Sequence, residues 1–212
     1  MGASKRDVAD ERRERLAKVQ AEQRRAERRR TLLVVGVVTA VVLALAVPVG
    51  IFFVRELSAQ NAVEAAAQAD IDGVEEIEIA STLHTESRVD YALLPPVGGD
   101  HHPVWQNCGF YDAPVVTEHA VHSLEHGAVW IAYDPDLDPA QVDRIRELSA
   151  SNAYVLASPF ADMDSPVTLS AWGVRLEVDS VDDERVEPFL VKYLQGPQTP
   201  EPGASCFGGV GA

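Results

Sequence analysis

The 212-residue chain carries 18 lysines and arginines against 33 aspartates and glutamates, a formal charge of −15 at neutral pH with the histidines uncharged. That balance argues against nucleic acid as a partner, because the field repels phosphate. It is also unevenly spread: eleven basic residues, from Lys5 to Arg30, precede one long apolar run, while seven basic and 27 acidic residues follow it, a balance near −20.

The run LLVVGVVTAVVLALAVPVGIFFV, Leu32 to Val54, holds 23 residues without a charge. As a helix rising 1.5 Å per residue it reaches roughly 35 Å, enough for a hydrocarbon core of about 30 Å. Residues 31–54 are therefore expected to form a single-pass transmembrane helix in contact with membrane lipid. The run is long for a cleavable signal, and Ile51-Phe52-Phe53-Val54 before Arg55 offers no clear small-residue cleavage site. The basic residues place the 1–30 tail in the cytoplasm and the C-terminal part outside the cell membrane. Each basic residue near an anionic inner leaflet adds about 1 kcal/mol. Asp7, Asp10, Glu11, Glu14, Glu22 and Glu27 interrupt the basic tail, and no aromatic is present there to stack on bases. Next, RELSAQNAVEAAAQAD is rich in helix formers but lacks an apolar face. Residues 55–73 are thus expected as a helical stalk or linker, stopped at Asp72-Gly73.

Residues 74–212 are enough for one domain with a single core. It opens with a Pro/Gly-rich stretch, LLPPVGGDHHPVWQNCGFYDAPV, in which Trp105, Phe110 and Tyr111 supply buriable area, so a structured loop is expected. A short helix over Glu118–His126 stops at Gly127. AVWIAYD then reads as a strand, and LDPAQVDRIRELSA as a helix with Asp138 at its N-cap and Pro139 in its first turn. AYVLAS and PVTLSAWGVRLEV read as two strands, and VDDERVEPFLVKYLQG as a helix interrupted near Pro188. The expected domain is α+β, two-layered, of order β-α-β-β-α, with a small mixed or antiparallel sheet and a C-terminal tail lying against it.

All six histidines, His84, His101, His102, His119, His122 and His126, fall within 43 consecutive residues. On a helix, His119, His122 and His126 share one side, opposite Val121 and Leu124. His122 and His126 at i and i+4 have the spacing by which a helix presents two ring nitrogens to one zinc or copper ion, although exposed pairs are also commonly just solvated. The Gly98-Gly99 turn can bring His101 or His102 to the same point. With Met1 and Met163 as the only methionines, a thioether-rich cuprous site is disfavoured, which leaves zinc or cupric copper. HSLEH also matches the inverted zinc-protease pattern, two histidine ligands with Glu125 as general base. DPDLDP resembles a calcium loop only superficially, since proline stands at its sixth position and Ile145 at its twelfth. Cys108 and Cys206, the only cysteines, lie on the oxidising side and are expected to form a disulfide. The alternative keeps Cys108 reduced as a nucleophile or copper ligand.

PPVGGDHHPVWQNCGFYDAPV and AVHSLEHGAVWIAYDP resemble a family of membrane-anchored bacterial proteins, common in actinobacteria, whose outer domain is of unknown function. The resemblance runs from about His84 to GPQTPEPGASC. It implies that His101 is the histidine following the Gly-Gly turn, and it matches Trp105, Cys108, His122, Glu125, His126 and an upstream histidine at His84. His102 and His119 have no counterpart in it. His101, His122 and His126 are accordingly ranked first as metal ligands and His84 next, with Glu125 as fourth ligand or as the partner that orients a ring. Two other readings remain: a non-catalytic envelope scaffold or partner-binding module, and a metal-dependent hydrolase using metal-bound water or Cys108.

Overall fold

The computed structural model describes residues 5–211; residues 1–4 of the expected basic tail and residue 212 lie outside it. The first element, α1 (Lys5–Gln68), is a helix of 64 residues that continues through Pro48. It contains a segment long and apolar enough to cross a membrane. The chain divides into two compact units after Ala59. In the second unit the end of α1 is tied down, because Lys192 Nζ donates to the Ala69 carbonyl at 3.0 Å and Arg185 Nη1 to the Asp72 carbonyl at 3.1 Å.

The remaining elements are β1 (Val74–Glu76), β2 (Gly109–Phe110), α2 (Thr117–Glu125), β3 (Val129–Tyr133), α3 (Pro139–Ser151), β4 (Val155–Pro159), β5 (Val167–Ala171), β6 (Val174–Val178) and α4 (Val186–Tyr193). The strands form one six-stranded mixed sheet in the order β1-β6-β5-β3-β4-β2. β3 runs parallel to β4 across the α3 crossover and antiparallel to β5.

Two expectations are corrected here. PVTLSAWGVRLEV is a hairpin of two strands rather than one, with Val167 opposite Val178 and Ala171 opposite Val174. Gly173 supplies the positive φ of +70° that the turn needs. The regular part therefore runs β-α-β-β-β-α. The domain also has three layers instead of two. Val129, Ile131 and Tyr133 of β3 pack with Ile145 and Leu148 of α3 and with Phe189, Leu190 and Tyr193 of α4. Trp130 and Ala132 point the other way, into a second core with Ala120, Val121 and Leu124 of α2. A strand buried on both faces has no polar alternation to reveal which side is covered.

α4 begins only at Val186, so Pro188 sits in its first turn and interrupts nothing; the N–H that proline lacks has no intrahelical partner there. α3 starts as expected, with the Asp138 side chain accepting from the Ala140 N–H at 2.9 Å. Asp138→Ala removes that cap, with an expected loss of about 1 kcal/mol in denaturant unfolding.

The tail is clamped to the loop that precedes β2. Cys108 and Cys206 form a disulfide with Cα atoms 5.4 Å apart, 98 residues apart in sequence. Around it, the Cys108 N–H donates to the Cys206 carbonyl, the Asn107 N–H to the Val210 carbonyl and the Val210 N–H to the Trp105 carbonyl. α2 thus lies between the sheet on one side and the Pro/Gly-rich loop with the tail on the other.

Candidate metal centre

α2 needs a hard stop, and Gly127 provides it. Its φ of +92° suits glycine, and a β-carbon there would lie 2.9 Å from the Gln195 backbone. Upstream of that stop, Val121 and Leu124 face the sheet core, fully buried. His122, Glu125 and His126 point toward the loop and the tail and are buried too, at 5%, 6% and 4% exposure. Helical spacing sets His122 and His126 opposite the apolar stripe, and the covering loop closes over both and over Glu125.

The loop brings the remaining partners. Its backbone pairs with the preceding segment, the Thr85 N–H donating to the His101 carbonyl and the His101 N–H to the Leu83 carbonyl. That pairing sets His84 beside His101. His101 is fully buried, whereas the His84 side chain is 49% exposed. The potential ligand atoms of His84, His101, His122 and Glu125 all lie within 4.8 Å of one another. His101 Nε2 is 3.0 Å from Glu125 Oε2, and His84 Nε2 is 3.6 Å from the same oxygen. The His84 ring stacks on the His122 ring at 5.0 Å and 3°.

Backbone carbonyls decide the tautomers. A carbonyl oxygen only accepts, so the ring nitrogen facing it must donate. His101 Nδ1 donates to the Gly99 carbonyl at 2.7 Å, His122 Nδ1 to the His102 carbonyl at 2.6 Å and His126 Nδ1 to the Ser205 carbonyl at 2.7 Å. Each neutral ring therefore presents its Nε2 lone pair inward. His101 aims that lone pair at a carboxylate oxygen, and His122 Nε2 faces His126 Nε2 at 3.0 Å. A shared proton or a metal ion relieves such facing acceptors, and donors 2.0–2.1 Å from a common zinc ion stand roughly 3–3.5 Å from one another. An Nδ1–H fixed by a carbonyl is also how a ligating histidine is normally oriented.

Of the residues ranked from sequence, His101, His122, Glu125 and His84 come together. His126 stands beside His122, outside that group of four, with its Nε2 3.5 Å from Glu201 Oε2. The two histidines of the inverted-protease pattern stand side by side, His122 Nε2 3.0 Å from His126 Nε2, and its glutamate, Glu125, is one of the four converging groups. His102 and His119 lie apart, their rings 4.1 Å from each other. They brace the loop, His119 Nδ1 donating to the Val104 carbonyl and His102 Nδ1 accepting from the Val104 N–H. Glu201 was missed by sequence reasoning, although the expected Cys108–Cys206 link already drew its segment toward the histidines.

Burial, reinforced by the neighbouring His126 and His101, pushes His122 down to about 4, against the pull of its bond to the His102 carbonyl. At neutral pH its Nε2 is therefore a lone pair. The unfolded chain takes up this proton near pH 6.5 and the folded one only near pH 4, so metal-free protein should lose stability as pH falls through that window. Urea midpoints measured at pH 7 and pH 4.5 check this; His122→Ala should flatten the difference.

The sequence profile of a family described as "Protein of unknown function (DUF3105)" matches residues 83–208, and the chain belongs to that family. Residues 10–69 are similar to a second profile, described as "Inhibitor of host cell division protein domain", over a stretch ending one residue past α1. No curated protein and no solved structure matches the chain.

Proposed function

We propose that this member of the family is a membrane-anchored metal-binding protein whose outer domain holds zinc or cupric copper through His84, His101, His122 and Glu125. Residues 1–30 form the cytoplasmic tail, 31–54 the membrane helix, 55–73 the stalk and 74–212 the domain outside. Support for the anchor is that the large apolar side chains described between Leu32 and Val54 are at least half exposed, as suits contact with lipid. Support for outward placement is the eleven basic residues on one side of that run and the disulfide on the other.

The observation that carries the metal reading is the set of Nδ1–H bonds to backbone carbonyls, which aim the Nε2 lone pairs of His101 and His122 at the same small volume as Glu125 and His84. Three nitrogens and one carboxylate oxygen suit zinc and cupric ion, and disfavour calcium or magnesium, which prefer all-oxygen shells. The half-exposed His84 leaves one route by which an ion reaches the three buried donors.

The test is competition of untagged full-length protein in detergent against a chromophoric chelator. Zinc or cupric ion should bind stoichiometrically at pH 7, with affinity falling steeply toward pH 5 as protons compete for the imidazoles. Absence of binding by folded, disulfide-intact protein overturns the reading. A second reading, a partner-binding module, is favoured by a cavity of about 680 Å³ lined by Arg88, Tyr91, Leu94, Glu118 and His119 among others. Cross-linked capture of an envelope protein that survives chelation would support it.

A further inference from the structure

We infer that the centre takes two metal ions, the second held by His126 and Glu201 together with His122. This rests on the metal-binding reading above and extends it. With both ions present, His84, His101 and Glu125 keep the first.

Once four donors have converged, His126 and Glu201 are left over beside them. His126 is buried at 4% exposure, and its Nδ1–H is committed to the Ser205 carbonyl at 2.7 Å. Its Nε2 is therefore an acceptor in the neutral ring. It faces the Nε2 of His122 at 3.0 Å, which is an acceptor for the same reason, and the carboxylate oxygen Glu201 Oε2 at 3.5 Å. One imidazole nitrogen and one carboxylate oxygen thus flank His126 Nε2 without a hydrogen to share, an arrangement that a cation relieves.

The cluster is also built. The Trp105 ring packs 4.9 Å from the His126 ring and 5.8 Å from that of His122, covering this side. The Glu201 N–H donates to the Glu125 carbonyl at 3.1 Å, so the tail residue is anchored to the helix turn that carries the first group. Cys206 then ties the tail in place beside Ser205. Acceptors oppose each other at 3.0 Å twice in this small volume, once between His101 and Glu125 and once between His122 and His126. A single ion among the first four donors engages the lone pair of His122 and leaves that of His126 unshared.

The experiment counts ions. Untagged full-length protein in detergent, stripped by chelator and loaded with zinc, is dialysed and its metal measured by mass spectrometry. Two equivalents are expected in the wild type, and one in His126→Ala. Glu201→Gln, at a half-exposed side chain whose loss leaves the fold intact, should weaken the second ion at least tenfold and spare the first. This keeps the test open should His126→Ala fail to fold. One equivalent in the wild type, unchanged by either substitution, overturns the second ion and leaves the first site standing, with a proton shared between His122 and His126. Two equivalents that neither substitution alters overturn the residue assignment. No bound zinc overturns both readings.

Discussion

His122→Ala lowers the affinity for zinc or cupric ion at least a hundredfold, the largest effect expected of any single substitution in the centre. His122 is the donor both groups share: its Nε2 lies with those of His84 and His101 and the Glu125 carboxylate, and also meets His126 at 3.0 Å. Loss of a residue that merely orients a ligand commonly costs 10–100-fold in affinity, and loss of a direct ligand from a four-donor set should exceed that. The fold should survive, because Val121 and Leu124 on the sheet-facing side of α2 are untouched. Chelator competition measures the affinity, and a near-native circular dichroism spectrum separates it from unfolding. His119→Ala and His102→Ala serve as controls: both rings sit outside the converging group, and affinity should stay within about threefold of wild type, since neither offers a ligand atom.

Cys206→Ala should cost about 2–5 kcal/mol, the usual range for loss of a native disulfide from a small domain. The bridge closes a separation of 98 residues, and in the chain-entropy account long loops gain most. The tail also keeps its backbone hydrogen bonds to residues 105–108, so local opening is expected in place of full release. Limited proteolysis should cut between about Gln195 and Phe207 faster than in wild type, while the sheet core stays protected. The Ser205 carbonyl that orients His126 and the Glu201 carboxylate sit on the loosened segment. Metal affinity should therefore fall alongside stability, and by more at the His126 side than at His101.

Much of the domain was legible because local chemistry spelled it out. Asp138-Pro139 marks the start of α3 and Gly127 the end of α2, each through a backbone requirement of its own residue. The β5–β6 hairpin was not, since Trp172-Gly173 interrupts a run of strand formers without the Asn-Gly or Asp-Gly pair that signals a two-residue turn. The third layer was hidden for another reason. α2 is short, and the loop that covers its polar side has no periodicity to betray burial.

The candidate site divides along the same line. Helical spacing put His119, His122 and His126 on one side of α2, of which His119 stays outside the group of four, and the Gly98-Gly99 turn marked His101 or His102 as able to reach them. Spacing around an axis says nothing about which ring nitrogen is committed to a carbonyl, and that commitment turns His126 toward Ser205 and Glu201. His84 joins through a backbone pairing with His101 across a loop. No local pattern encodes a contact of that kind. Its rank rested on resemblance alone, and the structure brings it into the group of four.

X-ray absorption of the zinc-loaded full-length protein in detergent tests the metal centre most directly. A shell of nitrogen and oxygen at about 2.0–2.1 Å with the outer-shell scattering of at least three imidazoles is expected. A sulfur scatterer at about 2.3 Å, or a shell without imidazole, would contradict it.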